Sequence, residues 1–469
     1  VKDAIHTIGL DPRWLAMTSR PEFLAREARH LVSGRKDFSN SEEVPPIDLH
    51  GLVRELFPIN RSLTGAGVRE TLAILARHVQ LEVREVPSGT AVLDWQVPLE
   101  WNIRGATVRT LDGRCLVDFA RNNLHVVGYS KPIHREVSRA ELAQHVHTLP
   151  QQPELIPYRT GYFADDWGFC ITDNLWQKMQ DETYRIDIDS DLSPGSLTYG
   201  EFFLPGELSD EVLITAHICH PSLANDNLSG IAVAVALAMR QAQRQRRLGF
   251  RVLFIPATIG AITWLAHNEN HLDRILHGLV LTCVGDAGRF HYKQSRSGAP
   301  IDGAMAHVLR HSGHPHEIMA FNPYGYDERQ FCSPAFDLPM GCLMRSVHGT
   351  FPEYHTSADN PDFVKPEALD QSYAVVASLL DLLDANRTYV RTDGRGEPQL
   401  GRRGLYRAIA GQKEAGGATQ MDLLWVLNLA DGKSSLLEMA DRAEISFHRI
   451  QSAARLALEA NLIREVIRD

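Results

Sequence analysis

The sequence contains no Cys-x-x-Cys pair. Its six cysteines, at 115, 170, 219, 283, 332 and 342, are scattered along 469 residues. That spacing excludes the disulfide framework of small secreted domains and reads as reduced thiols. Positive charge is also short, with 48 Lys and Arg against 58 Asp and Glu, a formal net charge of −10. Binding a phosphate backbone needs a Lys and Arg excess on some face, so nucleic acid is not expected as the main partner. No apolar run reaches the length of a membrane span. The sequence opens without the charged, apolar and small-residue segments of a secretory signal. No internal repeat or low-complexity tract is present. The expectation is a cytoplasmic protein with no membrane partner; whether it forms a homo-oligomer is left open.

What the chain does have is apolar residues, 44% of the total, enough for a large core and more than one domain. The first 45 residues are helical and charged, and break at Pro45-Pro46. Residues 46–91, with helical spacing over 47–79, open a domain that resumes at 186. From 92 to 185 come short β-type runs such as "WNIRGATVRT", "RCLVDF" and "HVVGYS", which predict a β-rich segment. Residues 186–390 then alternate strand and helix. Strands are expected over 212–216, 250–256, 278–284 and 339–345, with helices over 227–241, 259–268, 301–311 and 366–386. Such alternation implies an α/β fold, a mostly parallel sheet covered by helices. A Gly- and Arg-rich linker follows, and residues 400–469 form a small helical unit, with helices over 402–410, 420–430, 434–441 and 446–460.

In an open α/β sheet, ligands bind beyond the carboxyl ends of the strands. Here those ends deliver one set of residue types. The first strand runs into His217 and His220, with Asp226 at the start of the next helix. The third runs into Asp286. The fourth runs into Arg345 and His348, followed by His355. Imidazole nitrogens and carboxylate oxygens on one sheet edge suit zinc, with an open position for water. Each residue also has a structural reading: Asp226 as a helix cap, Asp286 as a turn residue, His355 as a solvated loop residue.

"ANDNLSG" (224–230) resembles the Asp-Asn-x-Ser-Gly motif of the M28-type zinc aminopeptidases. "AHICHP" (216–221) is similar to their preceding His segment, and "EYHTSADNPD" (353–362) to their final His motif. "NNLHVVGYS" (122–130), "YDERQFCSPAFDLPMGCLMRS" (326–346) and "LNLADGKSSLLEMA" (427–440) resemble a subgroup of the DUF2172/DUF4910 type. That subgroup carries an inserted β-rich domain and a C-terminal winged helix. The resemblance covers about residues 47–469.

It implies a zinc hydrolase that cuts an amide beside a free amine, either an aminopeptidase or a small-molecule deacylase. The substrate would be a small peptide or an aminoacylated small molecule. Asp226 matches the bridging aspartate, His217 the first histidine ligand with His220 close enough to replace it, Asp286 a later acidic ligand, and His355 the last histidine. The family's general base and a second glutamate fall at Ala257 and Thr258. Losing the second carboxylate implies about one zinc per chain. Ala257 cannot take a proton. Either the residue is a replacement, or another carboxylate, Glu328 or Glu353, takes the role, or the protein is a non-hydrolytic relative that binds or regulates. Asp327, Glu328, Arg329 and Arg345 are expected to hold the ends of the substrate, and Tyr324 and Tyr326 to donate to an oxyanion. Cys219 stands where the family keeps an aspartate that orients the histidine.

Overall fold

The structure, a computed structural model, describes residues 44–405 and 418–466. The expected N-terminal extension therefore lies outside the described residues, apart from its last two, as does most of the expected helix over 402–410. The described residues divide into two compact units, one of 44–388 with 435–447, the other of 389–405, 418–434 and 448–466.

The large unit opens with helices α1 (Leu49–Leu56) and α2 (Ala66–Leu75) and strand β1 (Glu82–Pro87). An inserted sheet follows, made of β2 (Glu100–Thr110), β3 (Cys115–Asp118), β4 (Ile133–Ser138) and β5 (Thr183–Ser193). It is antiparallel throughout, in the order β3-β2-β5-β4. Alternating burial along β5 carries the inserted sheet to Ser193, past the expected edge at 185. Val108, Phe169, Tyr184, Ile186 and Ile188 belong to a core of its own.

The chain then builds the main sheet from β6 (Ser196–Leu204), β7 (Glu211–His217), β8 (Gly249–Ile255), β9 (Ile275–Leu281), β10 (Phe290–Lys293), β11 (His316–Met319) and β12 (Met340–Met344). The order is β1-β6-β8-β7-β9-β12-β10-β11. The centre, β8-β7-β9-β12, is parallel as the alternation predicts. The flanks add antiparallel pairings, β1 and β6 on one side and β10 against β12 on the other, so the whole sheet is mixed. Every residue of β7 is buried, which is why it reads as a continuous apolar run rather than an alternation.

Between these strands come α3 (Gly230–Ala242), α4 (Ile259–Asn268), α5 (Pro300–His311) and the short α6 (Glu328–Phe331), and after them α7 (Pro366–Ala385). Helices α1, α3 and α7 pack on one another. The four predicted helices lie within a few residues of these bounds. The C-terminal region contains β13 (Thr388–Arg391), α8 (Gln420–Leu429), α9 (Leu436–Ala443), α10 (Phe447–Glu459) and β14 (Ile463–Glu465). Among the described residues, no helix is long and apolar enough to cross a membrane.

Candidate metal centre

Strand β7 ends on His217, and its parallel neighbours put their carboxyl ends on the same edge. The chain then crosses an irregular turn, 224–229, before α3 begins. Everything from 211 to 238 is buried. The polar residues of this turn therefore sit between two apolar elements with no water to satisfy them, and they must satisfy one another.

They do so around Asp226. Its Oδ1 lies 2.9 Å from His217 Nε2, and its Oδ2 lies 3.0 Å from His355 Nε2. His220 Nε2 stands farther off, 3.9 Å from Oδ2. The ligand atoms of His217, His220 and Asp226 all fall within 4.8 Å of one another. Burial alone would raise the Asp226 carboxyl, but His220, His217 and His355 together hold it well below the usual carboxylate range. Burial drives the His220 imidazole the other way, well below its ordinary value, against the pull of Asp226. The result is a carboxylate beside an imidazole kept neutral, the forms that bind metal.

A second ring of residues fixes these. Asp359 accepts from the backbone N–H of Asn225 at 2.6 Å and of Asp226 at 3.0 Å, which holds the turn. Tyr326 donates its hydroxyl to Asp226 Oδ2 at 2.7 Å and stacks on His217 with centroids 4.6 Å apart. Tyr354 pairs with the Tyr326 hydroxyl at 2.6 Å and stacks on His355. The buried Arg61 donates from Nε to the His220 carbonyl at 3.0 Å. Tyr158 comes from the inserted domain: its backbone N–H donates to the His355 carbonyl at 2.8 Å, and its ring packs against both His220 and His355. None of Arg61, Tyr158, Tyr354 and Asp359 was expected from the sequence. Tyr354 and Asp359 flank His355 in "EYHTSAD" and could have been suspected; Arg61 and Tyr158 lie far away in the chain and give no signal.

Several expected site residues are used elsewhere. Asp286 accepts Gly288 N and Ser346 Oγ on Oδ1, and Asn225 Nδ2 and Ser346 N on Oδ2, all within 3.1 Å. Four donors fill its lone pairs, so it braces the turn and is not free to bind a metal. Arg345 does not offer a fork to a substrate carboxylate. Its guanidinium donates to the Gly288 carbonyl at 2.6 Å, to Ser372 and to Gln371, and lies over the Phe290 ring. Glu328 is paired with the buried Lys293 and also accepts the Tyr326 N–H at 3.1 Å, so it is not available as a base. Arg329 is exposed, and Tyr324 is 67% exposed, too open for an oxyanion donor in a dry site. Tyr326 lies in the centre, but its hydroxyl is already shared between Asp226 and Tyr354. Glu353 is half-buried. Cys219 is buried, with its thiol 3.4 Å from His220 Nδ1 and pointing to the Ala257 carbonyl, and burial raises its pKa.

Asp327 behaves differently from its neighbours. It is fully buried, and neither carboxylate oxygen has a hydrogen-bond partner among the described residues. Burial pushes its carboxyl up to about 7, opposed by His217. Ala257, two residues past the end of β8, packs its methyl against the hydrophobic core, takes the Cys219 thiol on its carbonyl, and is followed by Thr258. The peptide bonds Asp226–Asn227 and Ala257–Thr258 are both cis.

Comparisons with known proteins agree with this architecture. Residues 50–386 match the model of a domain of unknown function (DUF4910), and residues 387–465 that of a winged helix-turn-helix. A Clostridium acetobutylicum protein described as "Putative polysaccharide biosynthesis protein with aminopeptidase-like domain" is 45% identical over 432 residues, covering 92% of this chain and 99% of the relative. A crystal structure of a "putative peptidase" from that organism superposes with a TM-score of 0.85 at 44% identity, over 89% of this chain and 96% of the other. A zinc aminopeptidase from Bacillus subtilis shares the fold, with a TM-score of 0.53 at 12% identity over 73% of this chain and 95% of that one. The chain thus belongs to the DUF4910 family, an aminopeptidase-like α/β fold followed by a winged helix.

Proposed function

We propose that the protein is a zinc-dependent hydrolase of an amide or peptide bond next to a free amine. The observation that carries this reading is the convergence of His217, His220 and His355 on the single buried carboxylate Asp226. The residues fit the metal. Ligand atoms of a tetrahedral zinc site lie about 3.3 Å apart, given bonds of about 2.0–2.1 Å. The spacings around Asp226, 2.9 to 3.9 Å, are close to that, and the ligand atoms of His217, His220 and Asp226 all lie within 4.8 Å of one another. Thr258 and the saturated Asp286 offer nothing to a second ion, which supports about one zinc per chain. Zinc, when bound, supplies Lewis acidity that polarises a carbonyl and acidifies water.

The chain's own residues do the rest. Asp226, His217, His220 and His355 would hold the metal. Tyr326, Tyr354 and Asp359 keep the carboxylate and rings oriented. Tyr158 and Arg61 close the His220 side against water. The substrate is a small peptide or an aminoacylated small molecule. The relative's description in terms of polysaccharide biosynthesis supports including amides carried on a sugar. Ala257 favours a second reading, a peptidase-fold protein that binds or regulates without hydrolysis.

Two measurements separate these. Elemental analysis should find about one zinc per wild-type chain and none in Asp226→Ala; retention of zinc by that variant would refute the ligand assignment. On a panel of aminoacyl amides, Ala257→Glu should turn over at least as fast as the wild type, the full worth of a positioned base, about 10²–10⁴-fold, being gained only where no other carboxylate takes the proton. Zinc-loaded wild-type and Ala257→Glu proteins that both bind these amides and cleave none would establish the binding-protein reading instead.

A further inference from the structure

A carboxylate taken from water without a partner is costly and is rarely tolerated without a role. Asp327 is such a group, with both oxygens buried and unpartnered among the described residues. Its location is specific. Tyr326, the residue before it, touches Asp226 and His217. His217 opposes the rise of the Asp327 carboxyl, Asp327 adds to the rise of the Cys219 thiol, and that thiol points to the Ala257 carbonyl 3.7 Å away. Phe331 of α6, the helix that Asp327 begins, packs on Trp264 of α4, the helix that follows Ala257-Thr258. Asp327 thus begins a helix packed on the one that follows Ala257-Thr258, and it adjoins the tyrosine that holds Asp226. The neighbouring carboxylate, Glu328, is neutralised by Lys293.

We propose that Asp327 is the proton acceptor of this site, acting where Ala257 cannot. The inference rests on the hydrolase reading above. Asp327 takes a proton from the attacking water. One O–H bond of water breaks and an O–H bond to the carboxylate forms. The water oxygen bonds to the substrate carbonyl carbon, and the carbonyl π pair moves onto its oxygen. The oxyanion pair then re-forms the C=O bond as the C–N bond breaks, its electron pair leaving on nitrogen, and the protonated Asp327 returns that proton to the nitrogen. Amide and water become carboxylic acid and amine, and Asp327 ends as it began.

The test uses the full-length, zinc-loaded protein as wild type, Asp327→Asn, Ala257→Glu and the double variant, with leucine and alanine p-nitroanilides as probes. Asparagine is isosteric but accepts no proton. Asp327→Asn should keep its zinc by elemental analysis and bind leucinol, measured calorimetrically, as the wild type does. Its kcat should fall about 100-fold or more with KM little changed. Adding Ala257→Glu to Asp327→Asn should restore turnover, which it could not do if the asparagine had only damaged the fold. Equal kcat in wild type and Asp327→Asn would overturn the proposal while leaving the hydrolase reading intact. So would turnover by Ala257→Glu alone with none by the wild type. Loss of leucinol binding with kcat unchanged would make Asp327 an amine anchor and also overturn it. No cleavage by any of the four would refute the hydrolase reading itself, and this proposal with it.

Discussion

Tyr326 does two separable things to the candidate metal centre. Its hydroxyl donates to Asp226 Oδ2, and its ring lies on His217. Tyr326→Phe keeps the ring and removes the donor. Partners that orient a ligand in this way are usually worth about 10–100-fold in metal affinity, so chelator competition should show zinc held more weakly by about that factor, with the fold unchanged. An unaltered zinc affinity would mean that Tyr354 and His355 orient the carboxylate alone. At this scale the sequence shows residue types at strand ends, and so His217, His220, Asp226 and His355 could be read from it. It does not show who else competes for a side chain. Arg345 and Asp286 stand at strand ends too, yet Ser372 and Gln371 of α7 and the backbone at 288 and 346 occupy them. Asp327 and Glu328 are adjacent in sequence, and only the position of Lys293 on β10 separates a paired carboxylate from an unpaired one.

The elements of the parallel centre were legible because buried strands and helices have different apolar periods. The flanking strands β10 and β11 were not, since "FHYK" and "HEIM" are four residues each and carry too little pattern. The join between α2 and the inserted sheet was hidden as well, and it has a pH dependence. Arg69 of α2 donates two bonds, 2.8 and 2.7 Å, to Glu100 at the start of β2. Those bonds hold the Glu100 carboxyl down from 4.5 to about 2; burial opposes them, and the Ser196 N–H and Asn102 add to them. A depressed folded-state pKa contributes stability that is complete above the unfolded value and is lost as pH falls through the folded one. Glu100→Gln should therefore cost about 1–2 kcal/mol at neutral pH, allowing for solvent around the partly exposed Arg69. The difference should shrink as the pH falls below 4.5 and close towards 2. Urea midpoints of the two proteins across that range measure it, and a gap independent of pH would exclude this ion pair as its source.

For the whole molecule, the sequence suggested a C-terminal unit over 400–469 that could be removed without touching the metal. It holds none of the ligands, and zinc binding by 44–388 should not need it. Yet residues 435–447 group with the large unit. Helix α9 begins with a capping box, Ser435 with Glu438, and buries Leu436, Leu437, Met439 and Ala440. Asp441 accepts from Arg310 at 3.0 Å and pairs with the buried His307 at 2.7 Å, both on α5. A cut at 402 therefore removes a structural helix from the unit that carries the candidate metal ligands. A pair of point variants tests this without truncation. Met439 is fully buried on α9, and Leu427 is buried on α8 of the smaller unit. Met439→Ala should destabilise that larger unit by about 2–5 kcal/mol, the range for emptying a buried site of that size. Zinc release in rising urea, followed with a chromogenic chelator, should then occur at lower denaturant than in the wild type. Leu427→Ala should leave the zinc-release midpoint where it is, because units with separate cores unfold separately. Equal midpoints for all three proteins would return α9 to the small unit.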